Sequence, residues 1–434
     1  MKKAQIPYSG IILIMQLLEK MRTASAGNST VEQQHEWGQS MKSRTMTGRS
    51  TSTGQPLSIS IEQGIIQSIE QSIEQSPADE SAWLAPGFID LQINGYSGCD
   101  FNGELDDPDQ VIALAEKVIA TGTTTFLPTI ITASEEQIVR ALETIARARR
   151  ISPLAAHSMP FVHLEGPFIS PVDGAVGAHE REYVRPPSLD EFARWQAACG
   201  DLVGMVTLSP HWENSMEFIA VLAGKGIRVS IGHTLATPEQ IHAAAQAGAT
   251  LSTHLGNGIA NMLPRHPNPI WAQLADDRLT ATFIADGHHL PADTLKAMIR
   301  AKGIERSILI SDVVALGGMK PGIYDAAIGG AVELSADGRL GSVHGGYLAG
   351  SARPLKDGIA WAAASAVCTL EDAVRMATEN PGRIVGHRGM LIAGAKADLV
   401  RFTMDMEDKS LHIETVLVEG TELEVQQQHA YINK

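Results

Sequence analysis

Eight times along the middle of this 434-residue chain a short apolar run is followed by a stretch with helical patterning. Six of the runs end in a residue that binds metals or moves protons: DLQIN (90–94), FVHLEGP (161–167), RVSIGHT (228–234), TLSTHL (250–255), TFIADGHH (282–289) and ILISD (308–312). Runs of this length, rich in Val, Ile, Leu, Phe and Thr, read as buried parallel strands. The eight strands fall at 84–94, 123–131, 161–167, 202–210, 228–234, 250–255, 279–287 and 307–313. That alternation predicts an α/β fold, a closed (β/α)8 TIM-like barrel rather than an open sheet. Strand C-termini converge on one face of such a barrel, so Gln92, Asn94, Glu165, His233, His254, His289 and Asp312 are expected to share one pocket.

The chain exceeds the roughly 250–300 residues that one core organises, so a second module is expected. Short alternating runs, QPLSISIEQGIIQSIEQSI near the start and LIAGAKADLVRF and HIETVLVEG near the end, predict a small β-sandwich built from both ends of the chain. The expected division is a flexible extension over 1–43, sandwich over 44–83, barrel over 84–387 and sandwich again over 388–434. Between the barrel strands, 107–122, 134–150 and 237–249 carry helix-start and helix-stop residues: Asp107 before the first helix, Pro238 in the first turn of the third, and Gly122 and Gly248 as stops.

With 34 basic and 49 acidic residues the formal charge is −15, which argues against nucleic acid or an anionic membrane surface as a partner. A small anionic substrate stays open, because one local arginine outweighs a distant average. No apolar run reaches the ~18 residues of a membrane span. Lys2 and Lys3 precede an apolar stretch, Gly10 to Leu18, and Ala24-Ser25-Ala26 has the look of a cleavage site, but Glu19, Lys20 and Arg22 interrupt the pattern. Cys99, Cys199 and Cys368 are scattered and unpaired in spacing, as reduced thiols are. A cytoplasmic location is therefore expected. No GxGxxG follows the first strand and no P-loop occurs, so a nucleotide is not an expected ligand.

Glu165, His233 and His254 supply one carboxylate and two imidazoles from the third, fifth and sixth strands. One acid and two histidines with an open position for water is a donor set suited to one divalent metal ion, zinc first, with Fe2+ or another divalent ion as alternatives. Each residue alone has an ordinary structural role open to it; their joint occurrence at equivalent strand ends points to metal. Asp312 is placed to take a proton from the attacking water and pass it to a leaving group. His179 and His289 are surplus histidines, one of which is expected to donate to a developing oxyanion. His288 reads as a loop residue.

The segments APGFIDLQING, HLEGPF, SIGHT, THLGN, ADGHH, ISD, LAGSA and ATENPGRIVG, in order between Leu84 and Phe402, resemble the N-acetylglucosamine-6-phosphate deacetylases of the amidohydrolase superfamily. The resemblance implies a barrel with a small β-sandwich and hydrolysis of an N-acetyl sugar phosphate to acetate and the free amine. It implies Glu165, His233 and His254 as metal ligands and Asp312 as base and then acid. Many amidohydrolases carry His-x-His at the end of the first strand and hold two metals; Gln92-Ile93-Asn94 here implies one metal, with Gln92 close behind it. Sugar contacts carried over from the family are Ala178-His179, Asn257, Gly258, Asp286, His289 and Leu348-Ala349-Gly350. Arg265 matches a phosphate-binding arginine that in relatives reaches the partner subunit's site, so a homodimer is implied.

Three departures bear on the substrate: Val313-Val314-Ala315 after Asp312, the loop LGNGIANMLPRHPNPIW (255–271), and Ala178 where the family places a threonine before the loop histidine. The competing readings are an amidohydrolase for another N-acyl amino sugar, such as N-acetylgalactosamine 6-phosphate or an unphosphorylated sugar, and a non-catalytic sugar-phosphate-binding protein.

Overall fold

The computed structural model describes residues 43–71, 81–344 and 346–424. The extension expected over 1–43, with its signal-like stretch, lies outside these residues except for Ser43. The eight apolar runs form one parallel sheet in sequential order: β1 (Phe88–Ile93), β2 (Thr123–Ile131), β3 (Val162–Glu165), β4 (Val203–Leu208), β5 (Arg228–Ile231), β6 (Leu251–Ser252), β7 (Thr280–Ile284) and β8 (Ser307–Ile310). All strand residues but Gly204 and the first residues of β5 and β7 are buried, as strands covered on both faces must be.

The sheet closes just beyond the strands. Ile93 bridges Val313 in parallel, Asp312 N donates to the Gln92 carbonyl (3.1 Å) and Asn94 N to the Val313 carbonyl (2.8 Å). The buried Asp90 carboxylate adds to the seam by accepting from Ser311 N (3.2 Å) and Gln92 N (3.1 Å).

Helices α1 (Pro108–Ile119), α2 (Glu135–Ile151), α3 (Leu189–Cys199), α4 (Ser215–Gly224), α5 (Pro238–Ala247), α6 (Pro269–Ala275), α7 (Ala292–Lys302) and α8 (Leu355–Ala364) follow the strands in turn. Asp107 caps α1, and Ser134 and Thr237 close reciprocal capping boxes on α2 and α5. Gly248 stops α5 at φ +121, and Gly122 stands beyond α1 at φ +89. After α8, the ATENPG motif forms a short turn beneath the barrel, where Asn380 Nδ2 donates to the Ile304 (2.7 Å) and Ser307 (2.8 Å) carbonyls at the start of β8.

Both ends of the chain build a second sheet. Its seven strands run in the order Thr421–Leu423, Ser410–Val418, Leu399–Asp405, Trp83–Pro86, Arg44–Ser50, Pro56–Glu62 and Ile65–Gln71. Backbone bonds from Ile66 N to the Ala395 carbonyl and from Ala397 N to the Gly64 carbonyl fold this sheet over on itself. Met46, Ile59, Ile61, Ile66, Leu84, Leu399 and Leu417 fill the enclosed core. The strand Trp83–Pro86 runs past residue 84, where the sequence reading began the barrel; the chain leaves this sheet only at Gly87, where a Cβ would fall 2.1 Å from Thr124 Oγ1.

One module went unread in the sequence. Between β8 and α8 the strands Gly322–Ala326, Gly330–Leu334 and Leu340–Ser342 make an antiparallel sheet. It packs on the C-terminal side of the barrel, with Val332, Leu334 and Leu340 in one cluster with Ile131, Val314 and Ala178.

Candidate metal centre

Each strand end places its polar residue as the register requires. Glu165 is the last residue of β3, His233 lies two residues past β5, His254 two past β6 and Asp312 two past β8. All four are buried. His233, His254 and Asp312 adopt positive φ (48°, 27° and 51°), a left-handed backbone that non-glycine residues rarely hold and that turns each side chain off its strand into the barrel mouth.

The three proposed ligands converge. One donor atom from each of Glu165, His233 and His254 lies within 4.8 Å of the other two. His254 Nε2 is 2.9 Å from Glu165 Oε1, and His233 Nε2 is 3.2 Å from the same oxygen and 3.1 Å from His254 Nε2. His233 Nδ1 lies 2.8 Å from the Ala175 carbonyl, which can only accept, so the proton sits on Nδ1 and Nε2 presents a lone pair. Two imidazole Nε2 atoms and a carboxylate oxygen gathered at one point fit a divalent cation, and the donor set is the one zinc hydrolases use. Burial pushes the Glu165 carboxyl up, but hydrogen bonds and charge from His233 and His254 outweigh it and hold the group well below the usual range. Burial likewise pushes the His254 imidazole down, and the Glu165 carboxylate carries it above its ordinary value.

Asp312 is held apart from that cluster. Gln92 Nε2 (2.9 Å) and Asn94 Nδ2 (2.8 Å) both donate to its Oδ1, leaving Oδ2 outside these two bonds. Burial first, then the Glu165 charge, push its carboxyl up to about 6, against the pull of His254, His289 and the Asn94 hydrogen bond. Gln92 therefore serves the candidate base, and Asn94, to which the sequence assigned no separate role, does the same.

His179 Nε2 lies 3.2 Å from His233 Nε2. Its Nδ1 accepts from Thr132 N (3.4 Å) and meets the Thr132 hydroxyl at 2.8 Å, so the proton belongs on Nε2, facing the cluster. Burial, then the neighbouring His233, lower its pKa to about 3, so the ring is neutral. Thr132 at the end of β2 thus supplies a hydroxyl to this histidine although Ala178 precedes it.

The amidohydrolase family model matches residues 83–423. The chain belongs to the amidohydrolase family. An N-acetylglucosamine-6-phosphate deacetylase from Bacillus subtilis is 33% identical over 76% of this chain and 83% of its own length. An N-acetylgalactosamine-6-phosphate deacetylase from Escherichia coli O157:H7 is 31% identical over 83% of this chain and 93% of its own. A mutant N-acetyl-D-glucosamine-6-phosphate deacetylase from Mycobacterium smegmatis, solved with N-acetyl-D-glucosamine-6-phosphate, superposes with a TM-score of 0.78 at 29% identity, covering 88% of this chain and 99% of that one. These similarities group this amidohydrolase with the N-acetylglucosamine-6-phosphate deacetylases.

Around the centre of the amidohydrolase the other sequence candidates take distinct places. Asn257 N (2.9 Å) and Nδ2 (3.2 Å) donate to the His254 carbonyl. Gly258, at φ +58, lies flat against the His233 ring, where a Cβ would come within 2.9 Å of Nδ1. Asp286 Oδ2 accepts from His289 Nδ1 (2.7 Å) while its Oδ1 accepts from His288 N and His289 N, so the carboxylate orients the His289 ring. His288 points elsewhere, its Nε2 3.2 Å from the Asp337 carbonyl of the inserted sheet. Leu348, Ala349 and Gly350 run beside the Asp312 segment, with Ser351 N donating to the Asp312 carbonyl (3.0 Å). Ala178 packs into the apolar cluster under the inserted sheet. Arg265 stands exposed on the 255–271 loop, and among the described residues no bond joins it to the cluster.

Proposed function

We propose that this amidohydrolase is a metal-dependent deacetylase that hydrolyses N-acetylglucosamine 6-phosphate to glucosamine 6-phosphate and acetate. The observation that carries the reading is the convergence of Glu165, His233 and His254 beside an Asp312 held by two amides. We assign those three residues to one divalent ion, zinc first. Held by these three residues, a divalent ion would polarise the acetyl carbonyl and lower the pKa of the attacking water. Asp312 Oδ2 takes the proton of that water, and Asp312 returns it to the amine nitrogen as the C–N bond breaks. His179, neutral with its proton on Nε2, donates to the carbonyl oxygen as negative charge develops on it. The Asp286-oriented His289, with Asn257, Gly258 and the 348–350 segment, contacts the sugar.

Arg265 is assigned to the phosphate of a partner subunit's site in a homodimer, as its planar fork suits that group. In support, its loop exposes Met262 (89%), and Trp271 (53%) stands exposed in the first turn of α6 just beyond it, apolar surface that a second copy would cover. Location in the cytoplasm belongs to the same reading.

A second substrate is kept because one relative carries the galactosamine name and matches over nearly its whole length. Acetate release from N-acetylglucosamine 6-phosphate, N-acetylgalactosamine 6-phosphate and plain N-acetylglucosamine, assayed side by side in metal-reconstituted protein, tests both. Fast turnover of the first alone is the expected outcome. Turnover of the galacto epimer alone selects the second reading, and none with metal bound refutes both.

A further inference from the structure

We propose that a buried hydrogen-bonded layer, Ser230–Thr253–Thr207–His163, sets the positions of the three metal-ligand side chains above it. The inference rests on the metal reading given under Proposed function. It concerns positioning residues, none of which belongs to the donor set itself.

The interior of a β/α barrel is ordinarily filled by branched apolar side chains. Here that holds for the lower layer, where Leu91, Leu127, Met205, Leu251, Ile308 and Ile310 form one cluster. Two residues further along β2 and β4, and just past the end of β6, the same inward register carries Thr129, Thr207 and Thr253 instead, all buried. They share this level with His163 of β3 and Ser230 of β5.

The bonds form a chain with one direction. The Leu91 carbonyl can only accept, so His163 donates to it from Nδ1 (3.1 Å), with Thr129 Oγ1 at the edge of reach (3.5 Å). His163 Nε2 must then accept from the Thr207 hydroxyl (2.7 Å). Thr207 Oγ1 in turn accepts from Thr253 Oγ1 (2.7 Å), and Thr253 Oγ1 accepts from Ser230 Oγ (2.5 Å). Five strands are tied in one relay, β1, β3, β4, β5 and β6. The three that carry ligands are all in it.

Its members stand directly behind those ligands: His163 two residues before Glu165, Ser230 three before His233, Thr253 next to His254. Gly232, next to His233, lies so close over the layer that a Cβ would meet Thr207 Cγ2 at 2.7 Å and Thr253 Cβ at 2.8 Å. Thr282 of β7 extends the support, its hydroxyl accepting from His254 N (2.7 Å). Two of the ligands, His233 and His254, hold left-handed backbone, which persists only when the surroundings over-determine it. An apolar layer restrains volume but not direction. A directional relay restrains both, and it ends where the strained residues begin.

The test is metal affinity in the full-length chain, measured for Zn2+ by competition with a chromophoric chelator. It is paired with the visible ligand-field spectrum of the Co2+-loaded protein, which reports ligand geometry independently of turnover. Thr207→Val keeps the shape but removes the donor to His163 and the acceptor for Thr253. It is expected to weaken metal binding about 10–100-fold, the usual effect of losing support behind a ligand, and to alter the cobalt bands. Thr207→Ser keeps the hydroxyl and should bind as the wild type does. Ile59→Ala, in the separate sandwich core, should lower thermal stability without moving either readout.

Unchanged affinity and spectrum in a folded Thr207→Val protein would overturn the inference, as would equal losses in the Val and Ser variants. If Thr207→Val does not fold, Ser230→Ala decides. It removes only the first donor, a several-fold weakening is expected, and wild-type affinity there overturns the proposal. Wild-type protein that takes up no metal would overturn the metal-centre reading itself, and this inference with it.

Discussion

Asp312 is pulled in two directions, and its chemistry depends on the balance. Burial and the nearby Glu165 raise its carboxyl to about 6, while the Asn94 amide and two histidines favour the charged form. A base must be deprotonated to act, so kcat/KM is expected to fall as pH drops through a value at or below about 6, since a bound cation adds to the downward pull. Asn94→Ala removes a hydrogen bond to the charged form and should move that acid limb to higher pH, read from a pH–rate profile. Asp312→Asn should retain metal and lose turnover by at least the ~10²–10⁴-fold that general acid–base catalysis contributes; metal content and kcat check it together. Glu165, His233, His254 and Asp312 were legible in the sequence because each closes an apolar run, and strand ends meet by construction. Asn94 was read as a pocket residue but its bond to Asp312 was not, and Thr132 was not read at all. Asn94 reaches a residue 218 positions away, and Thr132 takes on its role only because a loop brings His179 across.

At the scale of elements, the seam between β1 and β8 depends on one carboxyl. Burial raises Asp90 to about 7, against the hydrogen bonds of Ser311 and Gln92. The folded protein thus keeps a proton that the unfolded chain releases near the ordinary value of about 4. Between those limits the folded state binds more protons, so stability falls as pH rises through the window and levels off above it. Denaturant unfolding across that range should show a shallower slope in Asp90→Asn than in wild type, the remainder coming from other raised carboxyls such as Asp312. The eight strands and the capped helices were readable because apolar runs and Ser, Thr, Asp or Gly at their margins are local signals. The inserted sheet was not, because its strands Gly322–Ala326 and Gly330–Leu334 are short and between them fully bury only Val332 and Leu334. β6 is shorter than its run suggests: the ladder stops at Ser252, and His254 turns inward at φ 27°.

Across the whole molecule, the assignment of Arg265 to a neighbouring site makes a prediction that one chain alone cannot satisfy. Arg265→Ala should cost far more on the phosphorylated than on the unphosphorylated sugar. Mixing it with Asp312→Asn should restore activity, because the hybrid pairs an intact base with an intact arginine from the other copy. Steady-state assays of co-expressed variants read this directly, and no recovery would count against an arginine shared between subunits. The sheet built from both ends has a consequence of another kind. The strand Trp83–Pro86 takes Leu399–Asp405 as its neighbour, a segment synthesised more than three hundred residues later. At roughly 5–20 residues per second, the first four strands wait on the order of 15–60 s on the ribosome with one border unpaired. The barrel can assemble meanwhile, so the last piece of the protein to become native is the one whose first half was made at the outset.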